Sequence, residues 1–160
     1  MYAYVSQQFQ VLTIPFRDVT YANMSKDGNW VVFPAADDQG RFDVYMMNVS
    51  QGQPRRVTND SCLRISSSFI SPDASTILYR RQRTTSDPWE IVSVPTSGGA
   101  GRVVIENGLP NEWLPDGKRF SYVVSSRIPG SRWIYECWTS RPDGSDRQFV
   151  FADTINARPG

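Results

Sequence analysis

The sequence contains no histidine. Without an imidazole there is no Ser-His-Asp or Cys-His constellation and no histidine metal site, so the commonest routes to neutral-pH proton shuttling are closed. Cysteine is almost as scarce. Cys62 and Cys137 are the only two, and their separation matches neither a zinc nor a redox spacing, so two unpaired structural thiols are expected. No stretch approaches the roughly 20 apolar residues of a membrane-spanning helix, and no membrane span is expected. The opening Met1-Tyr-Ala-Tyr-Val-Ser-Gln-Gln8 lacks the basic and apolar regions of an export signal. A cytoplasmic location follows if the chain is complete as given. Charge of one sign is also missing: 17 basic and 16 acidic residues leave a net charge of +1, which gives no field to attract nucleic acid.

Aromatic residues, at 12%, are abundant and favour β-structure, where flat side chains pack on a pleated surface. The chain length is that of one domain with a core of its own, residues 1–160. Self-similarity then decides the fold class. Ser25-Lys-Asp-Gly-Asn-Trp-Val-Val-Phe33, Ser71-Pro-Asp-Ala-Ser-Thr-Ile-Leu-Tyr79 and Leu114-Pro-Asp-Gly-Lys-Arg-Phe-Ser-Tyr122 align with one another. Their aspartates, Asp27, Asp73 and Asp116, stand 46 and 43 residues apart, close to the ~40–45 residues of a four-stranded propeller blade.

Each repeat has the same internal order. A short strand (20–24, 66–70, 111–114) enters a turn whose Asp bonds nearby amides and whose Gly, as at Gly28 and Gly117, tolerates positive φ. An apolar second strand follows (30–35, 77–82, 119–125), then a polar loop (36–41, 83–88, 126–131) and a third strand (42–49, 89–94, 132–139). A Gly-containing turn leads to a basic-then-apolar fourth strand (55–58, 102–105, 147–150). Meander-connected groups of four strands predict an all-β chain of consecutive antiparallel propeller blades at 20–58, 65–106 and 110–151. Residues 1–14 read as the end of a preceding blade and 152–160 as the start of a following one.

A blade buries both faces only against neighbours. Three whole blades with ragged ends therefore imply, in order of preference, a piece of a longer protein, a homodimer joined through the open blade faces, or one composite fourth blade made from the two ends.

The three turns resemble the Ser-Pro-Asp-Gly turn of TolB-type, WD40-like propeller repeats. Asp43-Val-Tyr-Met-Met-Asn-Val-Ser-Gln-Gly-Gln-Pro-Arg-Arg-Val-Thr58 is similar to the second half of such a repeat. Lys26, Ala74 and Leu114 depart from the pattern without breaking its period. The resemblance implies a bacterial propeller used as a binding platform, often periplasmic. It equally fits the propeller domains of prolyl-oligopeptidase-like hydrolases and of lyases that act on pectin fragments, and fold alone does not choose among these.

Candidate chemistry is sparse. Glu90, Glu106, Glu112 and Glu136 are the only glutamates; Glu112 falls on an innermost strand, where it is expected to line the channel. Asp37, Asp38 and Asp43 around Gly40 lack the ligand spacing of a calcium loop, so a solvated loop and no metal site are expected there. Arg80-Arg-Gln-Arg83 reads as a blade edge. The loops between second and third strands lie on one face, and loops on a rigid scaffold concentrate recognition. Asp37, Asp38, Arg41, Arg83, Asp87, Arg127 and Arg132, flanked by Trp89 and Trp133, form the expected rim. The resulting expectation is a non-catalytic scaffold that binds a protein or a small polar ligand and needs no cofactor. The alternative is the propeller segment of a larger hydrolase or polysaccharide-degrading enzyme whose catalytic residues lie elsewhere.

Overall fold

A computed structural model describes Phe16, residues 18–128 and residues 132–156. Among them lie twelve strands and no helix, in three four-stranded antiparallel meanders. The first sheet is β1 (Asn23–Met24), β2 (Trp30–Ala36), β3 (Phe42–Asn48) and β4 (Pro54–Arg56). The second is β5 (Arg64–Ile70), β6 (Thr76–Gln82), β7 (Glu90–Pro95) and β8 (Arg102–Glu106). The third is β9 (Gly108–Trp113), β10 (Phe120–Ile128), β11 (Arg132–Ser140) and β12 (Gln148–Asn156). The chain is thus a run of propeller blades, with β1, β5 and β9 innermost and touching their counterparts in the next blade.

The three aspartate turns occupy equivalent bends. In each, the amide two residues after the Asp donates to its Oδ1: Asn29 to Asp27 at 3.1 Å, Ser75 to Asp73 at 3.1 Å and Lys118 to Asp116 at 3.0 Å. The following residue is left-handed every time, at φ 74° for Gly28, 55° for Ala74 and 68° for Gly117. Ser25 and Ser71 add a hydroxyl that donates to the same carboxylate at 2.5 and 2.6 Å. Leu114 has none to offer.

Burial explains why the second strands are apolar without alternation. On β2, Val32 packs toward the second blade, while Val31, Phe33 and Ala35 pack on the opposite face with Met47, Tyr45 and Phe16. On β6, Ile77 and Tyr79 face the first blade and Leu78 the third. Of the three second strands, β6 lies between two described sheets and shows solvent no face, so its apolar stretch Ile77–Tyr79 carries no period-2 signal. Polar bonds tie the seams together as well. Thr20 Oγ1 donates to the Ile65 carbonyl at 3.3 Å, Trp113 Nε1 to the Phe69 carbonyl at 3.3 Å, and Arg147 Nη2 to the Val104 carbonyl at 3.0 Å.

Three expectations change. Residues 152–156 do not open a further blade: they complete β12, paired with β11 from Thr139↔Gln148 to Arg132↔Asn156. The ladder passes a bulge at Cys137/Trp138 and continues through the polar residues Asp153 and Thr154 to Asn156. Arg80 and Arg81 are not at a blade edge, because β6 is paired there on both sides, by β5 and β7, while Arg83 follows the strand in the loop. Asp43 is not in a solvated loop but buried, accepting from Thr58 Oγ1 at 2.7 Å and from the Asp60 amide at 2.7 Å while pairing with Arg56. The expected partial blade at residues 1–14 lies outside the described residues, as do residues 157–160.

Candidate functional site

The expected rim splits into separate local structures. In the β2–β3 loop, Asp37 Oδ1 accepts the amides of Gln39 and Arg41 at 2.9 and 3.0 Å, and its Oδ2 pairs with the Arg41 guanidinium at 3.2 Å. Those contacts, the Arg41 amide first, hold the Asp37 carboxyl below its ordinary pKa. Asp38 is exposed beside it. In the β6–β7 loop, Arg83 comes within 3.7 Å of Glu90, and Asp87 is fixed through its backbone, its carbonyl accepting from Gln82 Nε2 at 2.9 Å. Arg127 is exposed on β10 opposite Trp133, which is 38% exposed. Arg132 pairs with Ile128 through its backbone; its side chain lies outside the described residues. No hydrogen bond joins these residues between blades among the described residues.

Trp89 is the exception, because it connects the rim to the interior. Its ring carries the Arg80 guanidinium 4.1 Å from the centroid. Arg80, on the β6 face toward the third blade, donates through Nε to the Gly108 carbonyl at 2.9 Å. No carboxylate lies within ion-pair distance of it among the described residues. Burial lowers its pKa without bringing it near neutrality, since a guanidinium stays charged in proteins.

Arg80 faces a cavity of about 460 Å³ where the inner edges of all three blades meet. Tyr21 comes from the first blade, Ser66, Ser67 and Phe69 from the second, and Leu109, Pro110 and Asn111 from the third. Ser66 is the extra residue where the β5–β6 register shifts between Ile65 and Ser67. The hydroxyls of Ser66 and Ser67 are buried and have no hydrogen-bond partner among the described residues.

A second cavity of about 460 Å³ shares Phe69 and Asn111 with the first and continues along the inner strands toward the aspartate turns, where Met24, Lys26, Glu112 and Trp113 line it. Glu112 is therefore placed on the inner surface, in the cavity beyond the one that holds Arg80. The sequence reading missed Arg80, Ser66 and Ser67. Their signal was a serine run and an arginine inside strands otherwise written for burial.

A second polar group sits in the seam between the first two blades. Arg81 is enclosed, donating to Asp60 at 2.5 Å, to Glu90 at 2.9 Å and to the Tyr79 hydroxyl at 3.3 Å. The Tyr79 hydroxyl in turn donates to Asp60. Burial opposes the Arg81 charge, yet the bonds to Glu90 and Asp60 outweigh it and raise its pKa. Burial, then the Asp60 bond, raises that of Tyr79. Burial pushes the nearby Cys62 thiol to about 11. These groups close on one another and are structural, with Arg81 Nη2 alone of the guanidinium nitrogens left buried without a partner among the described residues. Cys62 and Cys137 are both free thiols. No cluster of three metal-ligating side chains occurs among the described residues.

The outward face of the third sheet is apolar and open, with Leu109, Trp133, Tyr135 and Phe151 each more than a third exposed. Cross-strand pairing sets Phe151 opposite Cys137, and Cys137 opposite Val123, next to Leu109.

No protein-family model and no curated protein sequence matches the chain. Solved structures do, and they are propellers. A putative TolB from Agrobacterium tumefaciens matches with a TM-score of 0.54 at 18% identity, over 83% of this chain and 61% of that one. The nidogen–laminin complex matches at 0.65 and 16% identity, over 89% and 51%. The β-propeller domain of the trilobed protease of Pyrococcus furiosus matches at 0.61 and 14% identity, over 83% and 43%. The chain thus spans between 43 and 61% of these structures. At such identities the likeness establishes the fold, a TolB-like β-propeller.

Proposed function

We propose that this chain is part of a non-catalytic propeller scaffold whose binding site is the inner channel and its mouth. The observation that carries the reading is the cavity at the meeting of three blades, which combines apolar walls with an unpaired guanidinium and two unpartnered hydroxyls. Mostly apolar pockets with a few convergent polar groups are the usual form of a ligand site. The nidogen structure, a complex with laminin, supports a protein partner for a propeller of this shape. TolB-like repeats support a bacterial, periplasmic setting. The open face of the third sheet is where another blade stacks, from the same polypeptide or from a second copy of the chain.

The second reading is a propeller segment of a larger peptidase, favoured by the likeness to the trilobed protease domain. In that case the channel guides a substrate and the bond is broken elsewhere. The test is to incubate the chain with short peptides and polar small molecules, follow tryptophan fluorescence, and recover the probes for mass analysis. The scaffold reading expects saturable binding with every probe recovered intact. Cleavage by the chain itself, or no saturable binding across the set, overturns it.

A further inference from the structure

We infer that the cavity at the channel mouth recognises a carboxylate, with Arg80 as its anchor and Ser66 and Ser67 as neutral donors beside it. This deepens the proposed binding function and rests on it.

A guanidinium has five N–H donors, and Arg80 commits one, Nε–H, to the Gly108 carbonyl. That bond and the Trp89 ring beneath it fix the side chain in place. The two terminal nitrogens keep the paired geometry that matches a carboxylate with two parallel bonds. A half-buried cation with no counter-charge is costly, so an anion that enters here regains what burial removed.

The surroundings select the kind of anion. Among the described residues Arg80 is the only charged side chain on this cavity's wall, and its other walls are Tyr21, Phe69, Leu109, Pro110 and Asn111. One positive charge balances a monoanion. A phosphate dianion would stay half uncompensated against aromatic and aliphatic walls. The Ser66 and Ser67 hydroxyls are buried and without a partner among the described residues, and once their side chains rotate toward the cavity they add donors for the remaining lone pairs without adding charge. A cavity of about 460 Å³ is far larger than a carboxylate, so the group arrives on a larger body that the apolar walls cover. That body is either a small organic acid or the C-terminus of a peptide.

Calorimetry on the full 160-residue chain tests the inference with matched pairs. Phenylacetate against phenylacetamide probes the small acid, and N-acetyl-Phe-Gly against its C-terminal amide probes the peptide end. In at least one pair the acid is expected to bind roughly 10–100-fold more tightly than the amide, the range of one charge-assisted contact. Which pair shows the difference identifies the source. Arg80→Gln is expected to abolish that preference, and Arg80→Lys to restore part of it, because lysine keeps the charge and loses the fork. The wild-type comparison stands even if a variant fails to fold. Equal affinity for acid and amide overturns the carboxylate inference while leaving the scaffold reading intact. Binding of inorganic phosphate more tightly than either acid also overturns it. No binding by any of the four organic probes overturns it as well, and the proposed function then stands or falls on its own wider probe set.

Discussion

Arg80 and Arg81 are neighbours in sequence and have opposite fates. Arg81 points into the first seam and is neutralised by Asp60 and Glu90, whereas Arg80 points into the second seam and, among the described residues, bonds a carbonyl and stacks on an indole. Strand alternation makes the difference, since successive side chains leave opposite faces of a sheet. The enclosed ion group holds blades together, and breaking it by removing one partner strands the others. Arg81→Met is therefore expected to lower unfolding free energy by about 3–5 kcal/mol, because Asp60 and Glu90 are left buried without their cation. Urea denaturation followed by tryptophan fluorescence measures it. A loss below 1 kcal/mol would show that the seam does not depend on this pair. Arg80 holds the opposite balance, a charge that faces a cavity with no carboxylate partner among the described residues, while the Ser66 and Ser67 hydroxyls beside it are buried and unpartnered.

Among the elements, the aspartate turn is the unit that repeats. Its geometry predicts the effect of changing single residues. Ala74 sits at φ 55° where the other two turns have glycine, and a left-handed conformation costs a non-glycine residue roughly 1–2 kcal/mol. Ala74→Gly should raise stability by up to about 1 kcal/mol, because the greater freedom of glycine in the unfolded chain offsets part of the gain. Gly117→Ala should lower it by a similar amount. Thermal or urea unfolding of both variants checks the pair, and equal effects of the same sign would refute the shared turn geometry.

Asp27 and Asp73 carry a pH signature. Hydroxyl bonds from Ser25 and Ser71, then amide bonds from Asn29 and Ser75, hold both carboxyls below the ordinary 3.8. A depressed folded pKa stabilises the fold above the unfolded value, and that contribution disappears as pH falls through the folded one. Melting temperature should accordingly drop as pH is taken below about 3.8, and drop less in Ser25→Ala/Ser71→Ala, whose aspartates lose the hydroxyl bonds.

These turns were legible in sequence because Asp, Gly and the following apolar strand act over a few consecutive residues. The extension of β12 through Asn156 was not, because pairing with β11, not composition, carries it past the bulge. Arg81 was missed for a related reason: its partners, Asp60 and Glu90, are supplied by a blade linker and a neighbouring strand. Trp89 was singled out as a rim residue, while the cation it carries came to light only from the fold.

The whole molecule behaves as stacked slabs with one finished and one unfinished problem. The two seams are filled, from Val32 and Ile77 in the first to Leu78 and Phe120 in the second, while the outward face of the third sheet remains apolar and open. The two inner cavities lie where the inner strands of neighbouring blades run side by side, so a site formed there belongs to no single blade. A ligand of this site touches all three inner strands at once, and a backbone amide shift map recorded during titration with N-acetyl-Phe-Gly reads this directly. The prediction is that shifts concentrate at Tyr21, Ser66, Ser67, Arg80 and Asn111, together with the Trp89 indole. Shifts confined to the loops at Asp37–Arg41 and Thr84–Asp87, or to the open face around Tyr135 and Phe151, would contradict it.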